Sequence, residues 1–450
     1  MNELVKKDLK YLWHPYTQMK DCERVPPVLI EKAEGVKLFD VDGNFYYDTI
    51  SSWWCNVHGH CHPEIKKAVR RQLDSLEHVL FAGFTHSPAI ELAERLVSIS
   101  PNSLEKVFYS DNGSTAVEVA LKMSFQYWQN KGVTGKRKFL ALDLAYHGDT
   151  IGAMSVSGVD LYNERFSPLF YDSYKVPSPY CYRCPAGKEK GACSLECLGF
   201  MEERLKESAG EISAVIMEPI LMGAGGMIIY PADYLAGARA LADKYGVHLI
   251  LDEVASGFGR TGKMFASEHA SVEPDIMCVS KGITSGYLPL SATLVTDDIY
   301  RAFYDDYEKK KTFYHGHTYT ANPLACAAAV KAIDLFREED TLRNVRMIEQ
   351  RLGSFLEKMS GYEIVGDVRG VGAVGALELV KARSSKEPFG IKERIGVEVY
   401  KKGLESNLLL RPLGNIVYFF LPLCAKTEEL DDIFRRSEKV IERVSGSGEF

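Results

Sequence analysis

The sequence predicts an α/β fold built on a mostly parallel sheet, followed by a smaller α+β domain. Six short apolar runs alternate with longer helical patterns between residues 106 and 296, an order typical of strands that are buried on both faces of a parallel sheet. After about residue 330 the pattern changes to long amphipathic helices with strands such as VGAVGALELV and NIVYFFLP. At 450 residues the chain is also longer than one hydrophobic core usually supports.

The individual elements follow from local patterns. The strands predicted for the sheet are KVFYS (106–110), KFLALD (138–143), AVIMEPI (214–220), VHLILDE (247–253), IMCVS (276–280) and SATLVT (291–296). Upstream, residues 28–50 alternate and turn at Asp42-Gly43, which predicts a β-meander with a hairpin. A helix is expected to begin after DNGST, with Thr115 and Glu118 spaced as a capping box.

The composition argues against several classes of protein. With 54 basic and 61 acidic residues the net charge is −7, and no basic patch suits a nucleic acid. The first residues are charged and the longest apolar stretch is broken by Arg411, Pro412 and Gly414, so we expect neither a secretory signal nor a membrane span. The ten cysteines do not resemble a disulfide framework, which favours the cytoplasm. We assign no function to the terminal SGSGEF (445–450).

One lysine stands where a predicted strand leaves the sheet. Lys281 directly follows IMCVS and precedes a glycine-containing turn, so it is expected at the carboxyl edge of the sheet, where open α/β folds bind ligands. A lone lysine is more often a plain surface cation. Its function therefore depends on what the neighbouring strand ends carry.

Three other strand ends supply complementary groups. Gly113 and Ser114 open a helix whose free N–H groups and dipole favour a phosphate, although an ordinary helix cap would look the same. Asp252 ends another strand, and it is not a Walker B acid because the chain has no G-x-x-x-x-G-K-[ST] motif. Tyr146 follows a third strand and offers an aromatic face, although a loop tyrosine more often serves only packing.

Together these groups match the requirements of pyridoxal 5′-phosphate. The amine of Lys281 would bond to the aldehyde of the cofactor, the helix terminus would hold the phosphate, and Asp252 would keep the pyridine nitrogen protonated. Each group has a simpler explanation when taken alone, but their joint occurrence has none as good. The sequence therefore predicts a pyridoxal phosphate enzyme.

Longer motifs make the whole chain resemble the class III, or omega, aminotransferases. These motifs are YHGDTIGAMSVS, HTYTANPLACAAA and LILDEVASGFGRTGKMFASEH, with Lys281 standing 29 residues after Asp252. The resemblance implies the fold type I, aspartate aminotransferase-like fold, whose large domain has a seven-stranded, mostly parallel sheet. It also implies an N-terminal segment over 1–60 that packs with the small domain, a large cofactor-binding domain over 61–329 and a small domain over 330–450.

Further stretches are similar to the biotin-biosynthesis branch of that family: LWHPYTQM, TISSWWCNVHGH, SDNGSTAVEVALKMSFQYW and LLRPLGNIVYF. Many other omega-aminotransferases have Glu and Gln where this chain has Ala224 and Ala255. The branch implies transfer of an amino group to 8-amino-7-oxononanoate, giving 7,8-diaminononanoate, with S-adenosylmethionine or lysine as the donor. The alternatives are a class III aminotransferase of 4-aminobutyrate, ornithine or a similar omega-amine, a glutamate-1-semialdehyde-type aminomutase, and a non-enzymatic binding protein.

The resemblance also assigns roles position by position. Lys281 would move the proton between substrate and cofactor, Asp252 would pair with the ring nitrogen, and Tyr146 would stack on the ring and line the substrate pocket. Tyr16 and Trp53 would wall that pocket, with ordinary core aromatics as the alternative. The remaining substrate contact is Arg411, which would bind the distal carboxylate of the ketone.

A homodimer with shared active sites is implied as well. In relatives the segment that matches HGHTYTANP crosses the dimer interface. Gly316 would then lie near the substrate in the other subunit, and His317 and Thr318 would contact the phosphate there. Two positions depart from the branch pattern: Met222 replaces a usual Gln, and His317 replaces a proline of members that use S-adenosylmethionine. The second departure leaves the amino donor open.

A separate cysteine cluster lies in CYRCPAGKEKGACSLEC. A C-x2-C pair followed by a C-x3-C pair is compatible with four thiolates around zinc or iron, although the linker between the pairs is shorter than usual. Free thiols on a surface insertion are the alternative reading. We assign no metal to the chain and keep four residues as candidates: Cys181, Cys184, Cys193 and Cys197.

Overall fold

A computed structural model describes residues 2–446 of the chain. Most of the terminal SGSGEF segment, residues 447–450, lies outside the described residues. The strands are β1 (Ile30–Glu34), β2 (Lys37–Asp40), β3 (Phe45–Tyr47), β4 (Leu104–Ser110), β5 (Lys138–Leu142), β6 (Tyr174–Val176), β7 (Ile212–Met217), β8 (Leu221–Met222), β9 (Ile228–Ile229), β10 (His248–Asp252), β11 (Ile276–Val279), β12 (Ser291–Thr296), β13 (Val365–Val371), β14 (Val374–Ala382), β15 (Glu387–Pro388) and β16 (Ile416–Phe420).

The helices surround these strands. They are α1 (Glu3–Tyr11), α2 (Ser51–Trp54), α3 (Pro63–Leu73), α4 (Ser87–Ile99), α5 (Gly113–Asn130), α6 (Ile151–Ser155), α7 (Asp160–Asn163), α8 (Glu196–Ser208), α9 (Ala232–Tyr245), α10 (Asp297–Phe303), α11 (Pro323–Glu338), α12 (Thr341–Met359), α13 (Ile395–Glu405) and α14 (Thr427–Gly446). Within residues 2–446 no helix combines the length and the apolar character that a membrane crossing requires.

The central sheet has seven strands in the order β4-β12-β11-β10-β7-β5-β6. Neighbouring strands from β11 to β6 run parallel, whereas β12 is antiparallel to both β11 and β4. The expected α/β fold with a mostly parallel, seven-stranded sheet is therefore confirmed. The edge strand β6 was not predicted, because its three residues are too few to show a period.

Both faces of this sheet are covered, which explains the continuous apolar runs. In β7, Val215 and Met217 belong to the core on one face, whereas Ala214 and Ile216 belong to the core on the other. Because successive side chains of a strand point to opposite faces, a strand that is buried on both sides needs apolar residues at every position.

Three smaller sheets complete the fold, one of which consists of β8 and β9 alone. Strands β1 to β3 form the expected meander, and β13 to β16 form an antiparallel sheet in the C-terminal part. The N-terminal segment bonds directly to the C-terminal part: the Tyr47 N–H donates to the Asn407 carbonyl and the Leu409 N–H donates to the Tyr47 carbonyl, each over 2.9 Å. The domain limits at residues 60 and 329 stay a prediction.

The cap of α5 differs from the expected one. Asn112 is the N-cap residue: its side chain accepts from the Thr115 N–H, and the Thr115 hydroxyl oxygen accepts from the Asn112 N–H. The capping box therefore lies three residues earlier than the predicted one. Glu118 instead accepts from the Thr150 hydroxyl and from the N–H groups of Gly152 and Ala153. This carboxylate therefore caps α6 rather than its own helix, a tertiary contact that local spacing does not reveal.

A buried carboxyl group holds the loop that follows β10. Glu253 is fully buried, and it accepts hydrogen bonds from the Ser256 hydroxyl at 2.6 Å and from the Ser267 N–H at 2.8 Å. Burial raises the pKa of this carboxyl from 4.5 to about 7. Because the pKa is higher in the folded state, this group favours folding most below pH 4.5, and that contribution is lost as the pH rises through about 7.

The substitution Glu253→Gln tests this linkage. We expect the free energy of unfolding of the unaltered protein to fall relative to that of E253Q as the pH rises from 4.5 to about 7, by up to about 3 kcal/mol. Urea unfolding of both proteins across this range measures the difference. A constant difference at every pH would contradict the shifted pKa.

Candidate active site

Four adjacent strands of the central sheet each deliver one functional side chain to the same edge. Lys281 follows β11, Asp252 ends β10, Glu218 follows β7 and Tyr146 follows β5. All four line an inner cavity of about 460 Å³. Lys281 and Tyr146 also line an adjoining outer cavity of about 1180 Å³. The strand ends that carry Lys281, Asp252 and Tyr146 therefore meet, as the sequence predicted.

Lys281 begins a short 3-10 turn and adopts a left-handed backbone conformation, with φ of 44°. Its Nζ lies 4.7 Å from the centre of the Trp54 ring. Burial lowers the pKa of this ammonium, and the charge of Arg260 adds to the effect, while the carboxylates of Asp252 and Glu218 oppose it. A lysine with a lowered pKa is more readily available as a free amine near neutral pH.

Asp252 is held in place by a histidine that the sequence analysis did not single out. The Oδ2 atom of Asp252 lies 2.7 Å from Nδ1 of the buried His147, and its Oδ1 atom accepts from the Val254 N–H at 3.1 Å. The other ring nitrogen of His147, Nε2, is buried and has no partner among residues 2–446. Since His147 lines the inner cavity, this nitrogen is a polar atom that a bound group could satisfy.

The amino terminus of α5 closes one end of the inner cavity. Gly113 and Ser114 are its first two residues, and their N–H groups have no acceptor within the helix. The loop after β5 packs tightly here, because a Cβ atom on Gly148, whose φ is 124°, would lie 2.0 Å from Ser114 Oγ. A Cβ on Gly113 would lie 2.7 Å from Val254 Cγ1. This cradle, formed by free amides and glycines, suits a phosphate group.

Tyr146 joins the inner cavity to the outer one. Its backbone N–H donates to Glu218 Oε2 at 3.0 Å, and its hydroxyl lies 3.4 Å from that of Tyr16. The Tyr16 hydroxyl donates to Asp149 Oδ1 at 2.5 Å. Burial raises the pKa of Tyr146 far above its usual value, and the hydrogen bond with Tyr16 adds to the rise, so this phenol stays protonated.

The outer cavity contains the three substrate residues that the resemblance named. Tyr16 and Trp53 are 45% and 37% exposed and line this cavity, which does not agree with the alternative of core aromatics. The guanidinium of Arg411 lies 4.9 Å over the Trp53 ring, and its Nη2 donates to the Tyr16 carbonyl at 3.2 Å. Within residues 2–446, Arg411 has no carboxylate partner. The other arginine of the cavity, Arg394, forms a bidentate pair with Asp21.

The element α2, which carries Trp53 and Trp54, is a left-handed loop rather than a regular helix, and Arg260 anchors it. Residues 51–54 all have positive φ, between 44° and 76°, a conformation that is costly for residues other than glycine. The fully buried guanidinium of Arg260 donates to the Trp54 and Asn56 carbonyls and to Ser51 Oγ. These bonds hold the strained loop over the cavity.

The segment expected to serve a second subunit does not line either cavity of its own chain. Gly316 and Thr318 are exposed, and Nδ1 of His317 lies 3.4 Å from Asp111 Oδ2. Asp111 itself lines the inner cavity. The structure contains a single chain, so the roles of Gly316, His317 and Thr318 across a dimer interface stay a prediction.

The subfamily markers occupy different environments. Ala224 lines the outer cavity and Ala255 lines the inner one. Met222 is fully buried in the core beside β7 and lines neither cavity.

The cysteine cluster does not form a metal site in the described residues. Cys193 is exposed, while Cys181, Cys184 and Cys197 are half-buried free thiols. Burial and the neighbouring cysteines raise the pKa of Cys197 to about 11, so this thiol stays protonated. Among residues 2–446 no three His, Cys, Asp or Glu side chains are placed to hold a metal ion. The four cysteines therefore lie near one another without the arrangement that a metal ion requires.

Sequence reasoning missed Glu218 and His147. Glu218 lies inside the predicted strand AVIMEPI (214–220). In the structure β7 ends at Met217, which places Glu218 at the strand end, where the rule that selected Asp252 applies. No local signal could have selected His147, because its contact with Asp252 joins residues 105 positions apart.

Known proteins resemble the chain over nearly its full length. The family model described as aminotransferase class-III matches residues 19–441. An adenosylmethionine-8-amino-7-oxononanoate aminotransferase of Geobacter sulfurreducens is 46% identical, over 98% of this chain and 97% of that protein. The crystal structure of the enzyme of the same name from Methanocaldococcus jannaschii aligns with a TM-score of 0.93 at 41% identity, covering 98% of each chain. An omega transaminase of Pseudomonas jessenii in complex with PMP aligns with a TM-score of 0.93 at 31% identity, covering 99% of this chain and 98% of that one.

The substitution Gly148→Ala tests the cradle. A Cβ at this position would overlap Ser114 Oγ, so α5 and the loop after β5 must separate. We expect the affinity for pyridoxal 5′-phosphate to fall about tenfold or more, measured by fluorescence quenching on apoprotein. Gly43→Ala is the matched control, because Gly43 also has positive φ but has nothing within 4 Å of its Cβ position. Equal losses in both variants would mean that backbone strain alone, rather than the overlap, weakens binding.

Proposed function

The chain belongs to the class III aminotransferase family, and we propose that it transfers an amino group to 8-amino-7-oxononanoate, giving 7,8-diaminononanoate. The observation that carries the proposal is the placement of Lys281 and Asp252 on neighbouring strand ends facing one cavity. Full-length relatives at 41–46% identity that bear the name of this activity support the choice of substrate.

The inner cavity fits pyridoxal 5′-phosphate as the cofactor. The amides of Gly113 and Ser114 would hold the phosphate, Asp252 would pair with the ring nitrogen, and the amine of Lys281 would bond to the aldehyde. The unpartnered Nε2 of His147 supplies a further polar atom in the same cavity. When bound, this cofactor supplies a carbonyl that takes up the amino group and a ring that delocalises the electrons released at the substrate carbon.

Lys281 carries the proton in this reaction. Its Nζ would be released from the aldehyde when the amine of the donor takes its place. The free Nζ would then take the proton from the amino-bearing carbon of the donor and later deliver one to the carbonyl carbon of the acceptor. The lowered pKa favours the free amine that the first transfer needs. The Trp54 ring beneath Nζ limits where the amine can move.

Asp252 and Tyr146 organise the cavity around this amine. Asp252, fixed by His147, presents a carboxylate that favours a protonated ring nitrogen, because an opposite charge nearby stabilises the charged form. Tyr146 covers the entrance from the outer cavity and excludes water from one side. Desolvation strengthens both electrostatic contacts.

Arg411 is the group that would bind the carboxylate of the ketone substrate. It lines the outer cavity, and the fork of donors of its guanidinium matches a carboxylate. Arg394 is already neutralised by its bidentate pair with Asp21. Tyr16 and Trp53 wall the space between Arg411 and Lys281.

We propose S-adenosylmethionine as the amino donor, as the names of the relatives print it. Lysine is the competing donor, because His317 replaces the proline of the branch that uses S-adenosylmethionine. Both donors are cations, and the Asp149 carboxylate in the wall of the outer cavity favours either one. The half-reaction with each donor alone therefore distinguishes S-adenosylmethionine from lysine.

A homodimer is proposed on the exposure of apolar side chains in the predicted interface segment and in the stretch that contacts it. Leu80, Phe84, Tyr314 and Tyr319 are each at least 60% exposed in the single chain. Covering them with a second copy would bury large apolar side chains and bring Gly316, His317 and Thr318 to the other active site. The free state of all ten cysteines supports a cytoplasmic location.

Another class III aminotransferase remains the second candidate. The omega transaminase of Pseudomonas jessenii shares the fold as closely as the Methanocaldococcus jannaschii enzyme does, with TM-scores of 0.93 for both. The fold therefore does not separate the two activities. Ala224 and Ala255 in the cavity walls favour the biotin-pathway substrate.

The substitution Lys281→Ala tests the covalent role. We expect the variant to fold and to bind pyridoxal 5′-phosphate without the near-visible absorbance of the lysine-linked cofactor. Turnover should fall by more than about a thousandfold, because both covalent attachment and proton transfer are lost. A variant with normal turnover would contradict the mechanism.

The substitution Arg411→Ala tests the carboxylate contact. Losing a charge-assisted hydrogen bond, worth about 1.5–3 kcal/mol, should raise KM for 8-amino-7-oxononanoate about tenfold to a hundredfold. Arg394→Ala is the matched control, and we expect it to change KM less than threefold because Arg394 already pairs with Asp21. Steady-state kinetics with both variants decide between the two arginines.

The donor is tested by the half-reaction alone. Loaded protein is mixed with S-adenosylmethionine, lysine or 4-aminobutyrate, and the absorbance of the bound cofactor is followed. We expect S-adenosylmethionine to bleach it. Bleaching by lysine alone would identify lysine as the donor, and bleaching only by 4-aminobutyrate would overturn the proposed substrate.

A further inference from the structure

A buried carboxyl group in the wall of the inner cavity takes no part in the proton transfer assigned to Lys281. Glu218 follows β7, between the strand ends that carry Asp252 and Tyr146, and it is only 4% exposed. We propose that Glu218 is a positioning residue whose two carboxylate oxygens hold Tyr146 and the loop behind Trp54 in the geometry that binds the cofactor. The proposal rests on the cofactor assignment made under the proposed function.

One oxygen of Glu218 fixes the tyrosine. Oε2 accepts from the Tyr146 N–H at 3.0 Å. This amide is attached to the same Cα atom as the aromatic side chain, so the hydrogen bond restricts where the ring can lie. Tyr146 has no strand or helix partner of its own here, because it lies in the loop between β5 and α6.

The other oxygen fixes the loop that follows β8. Oε1 accepts from the Gly223 N–H at 2.8 Å. The Trp54 ring packs directly on this glycine, since a Cβ on Gly223 would lie 3.0 Å from Trp54 Cζ3. The same ring lies under Nζ of Lys281. The Glu218 carboxylate thus connects the loop that carries Tyr146 to the loop on which Trp54 packs.

The surroundings of Glu218 make its charge sensitive to pH. The titratable groups that interact with it are His147 and Asp252 on the neighbouring strand ends, Lys281 after β11, and Tyr230, whose hydroxyl donates to the Glu218 carbonyl at 2.6 Å. Burial raises the pKa of Glu218 to about 7, and the Asp252 carboxylate also raises it, whereas His147 and the two amides lower it.

The ionised form is the one that holds both loops. A carboxylate accepts well at both oxygens, whereas a protonated carboxyl must donate from one of them. Neither backbone N–H can accept that proton. Below pH 7 one of the two hydrogen bonds that Glu218 accepts is therefore weakened. A cationic group bound near Asp252 would favour the ionised form of Glu218.

The substitution Glu218→Gln separates this role from general stability. Glutamine keeps the size but has one amide oxygen, so one of the two N–H groups loses its acceptor. We expect E218Q to bind pyridoxal 5′-phosphate about tenfold more weakly at pH 8, which corresponds to about 1.4 kcal/mol. Between pH 8 and pH 6 the affinity of the unaltered protein should fall toward that of E218Q. Quenching of tryptophan fluorescence on apoprotein measures both values.

The matched control is Glu253→Gln. Glu253 is equally buried and its carboxyl also has a pKa of about 7, but it bonds within the loop after β10 and lines neither cavity. We expect E253Q to change the thermal midpoint of the apoprotein and to leave cofactor affinity within twofold. A purely structural role for Glu218 would make the two variants alike in both measurements, which would overturn the proposal.

Two further outcomes are decisive. If E218Q binds the cofactor within twofold of the unaltered protein at pH 8, or if the gap between them is the same at pH 6 and pH 8, the positioning role is wrong. Should E218Q fail to fold, Glu218→Asp takes its place, because it keeps the charge but withdraws both oxygens by one methylene. If the unaltered protein itself does not bind pyridoxal 5′-phosphate, the cofactor assignment fails rather than the role of Glu218.

Discussion

The active site depends on the parallel register of the central strands. Leu251 of β10 lies opposite Met217 of β7, so Asp252 and Glu218 leave their strands at the same level. Asp252 lies opposite Cys278 of β11, which places Lys281 just beyond that edge. A shift of one residue would turn these side chains into the apolar cores on either face of the sheet. The chemistry of the site therefore requires the hydrophobic pattern that sets this register.

Burying charged side chains at the edge of the sheet costs desolvation free energy, and hydrogen bonds to fixed neighbouring groups offset part of that cost. Asp252 is bonded by His147, Glu218 by two backbone amides, and Arg260 by carbonyl groups of the loop that carries Trp53 and Trp54. Among residues 2–446 Lys281 has no such hydrogen bond, and desolvation lowers its pKa. The least compensated charge of the site is the one that has to give up its proton.

The central sheet accounts for the membership of the family, whereas the outer cavity accounts for the choice of substrate. The overall fold is shared with two aminotransferases of different names, as the equal TM-scores to both indicate. The outer cavity is built from segments far apart in the chain, since Arg411 bonds to Tyr16 across 395 positions. Substrate choice can therefore change through these segments while the sheet stays the same.

The sequence by itself determined the fold class and the ends of the strands that carry Lys281, Asp252 and Tyr146, because hydrophobic period and strand polarity are local properties. It also predicted Gly113 and Ser114 at a helix start. Only the tertiary structure decided which side chains meet. It shows the two N–H groups that donate to Glu218, the contact of His147 with Asp252 and the apolar burial of Met222. It also shows that the cysteines of the described residues are not arranged to hold a metal ion. These depend on packing between distant segments, and spacing along the chain carries no information about such contacts.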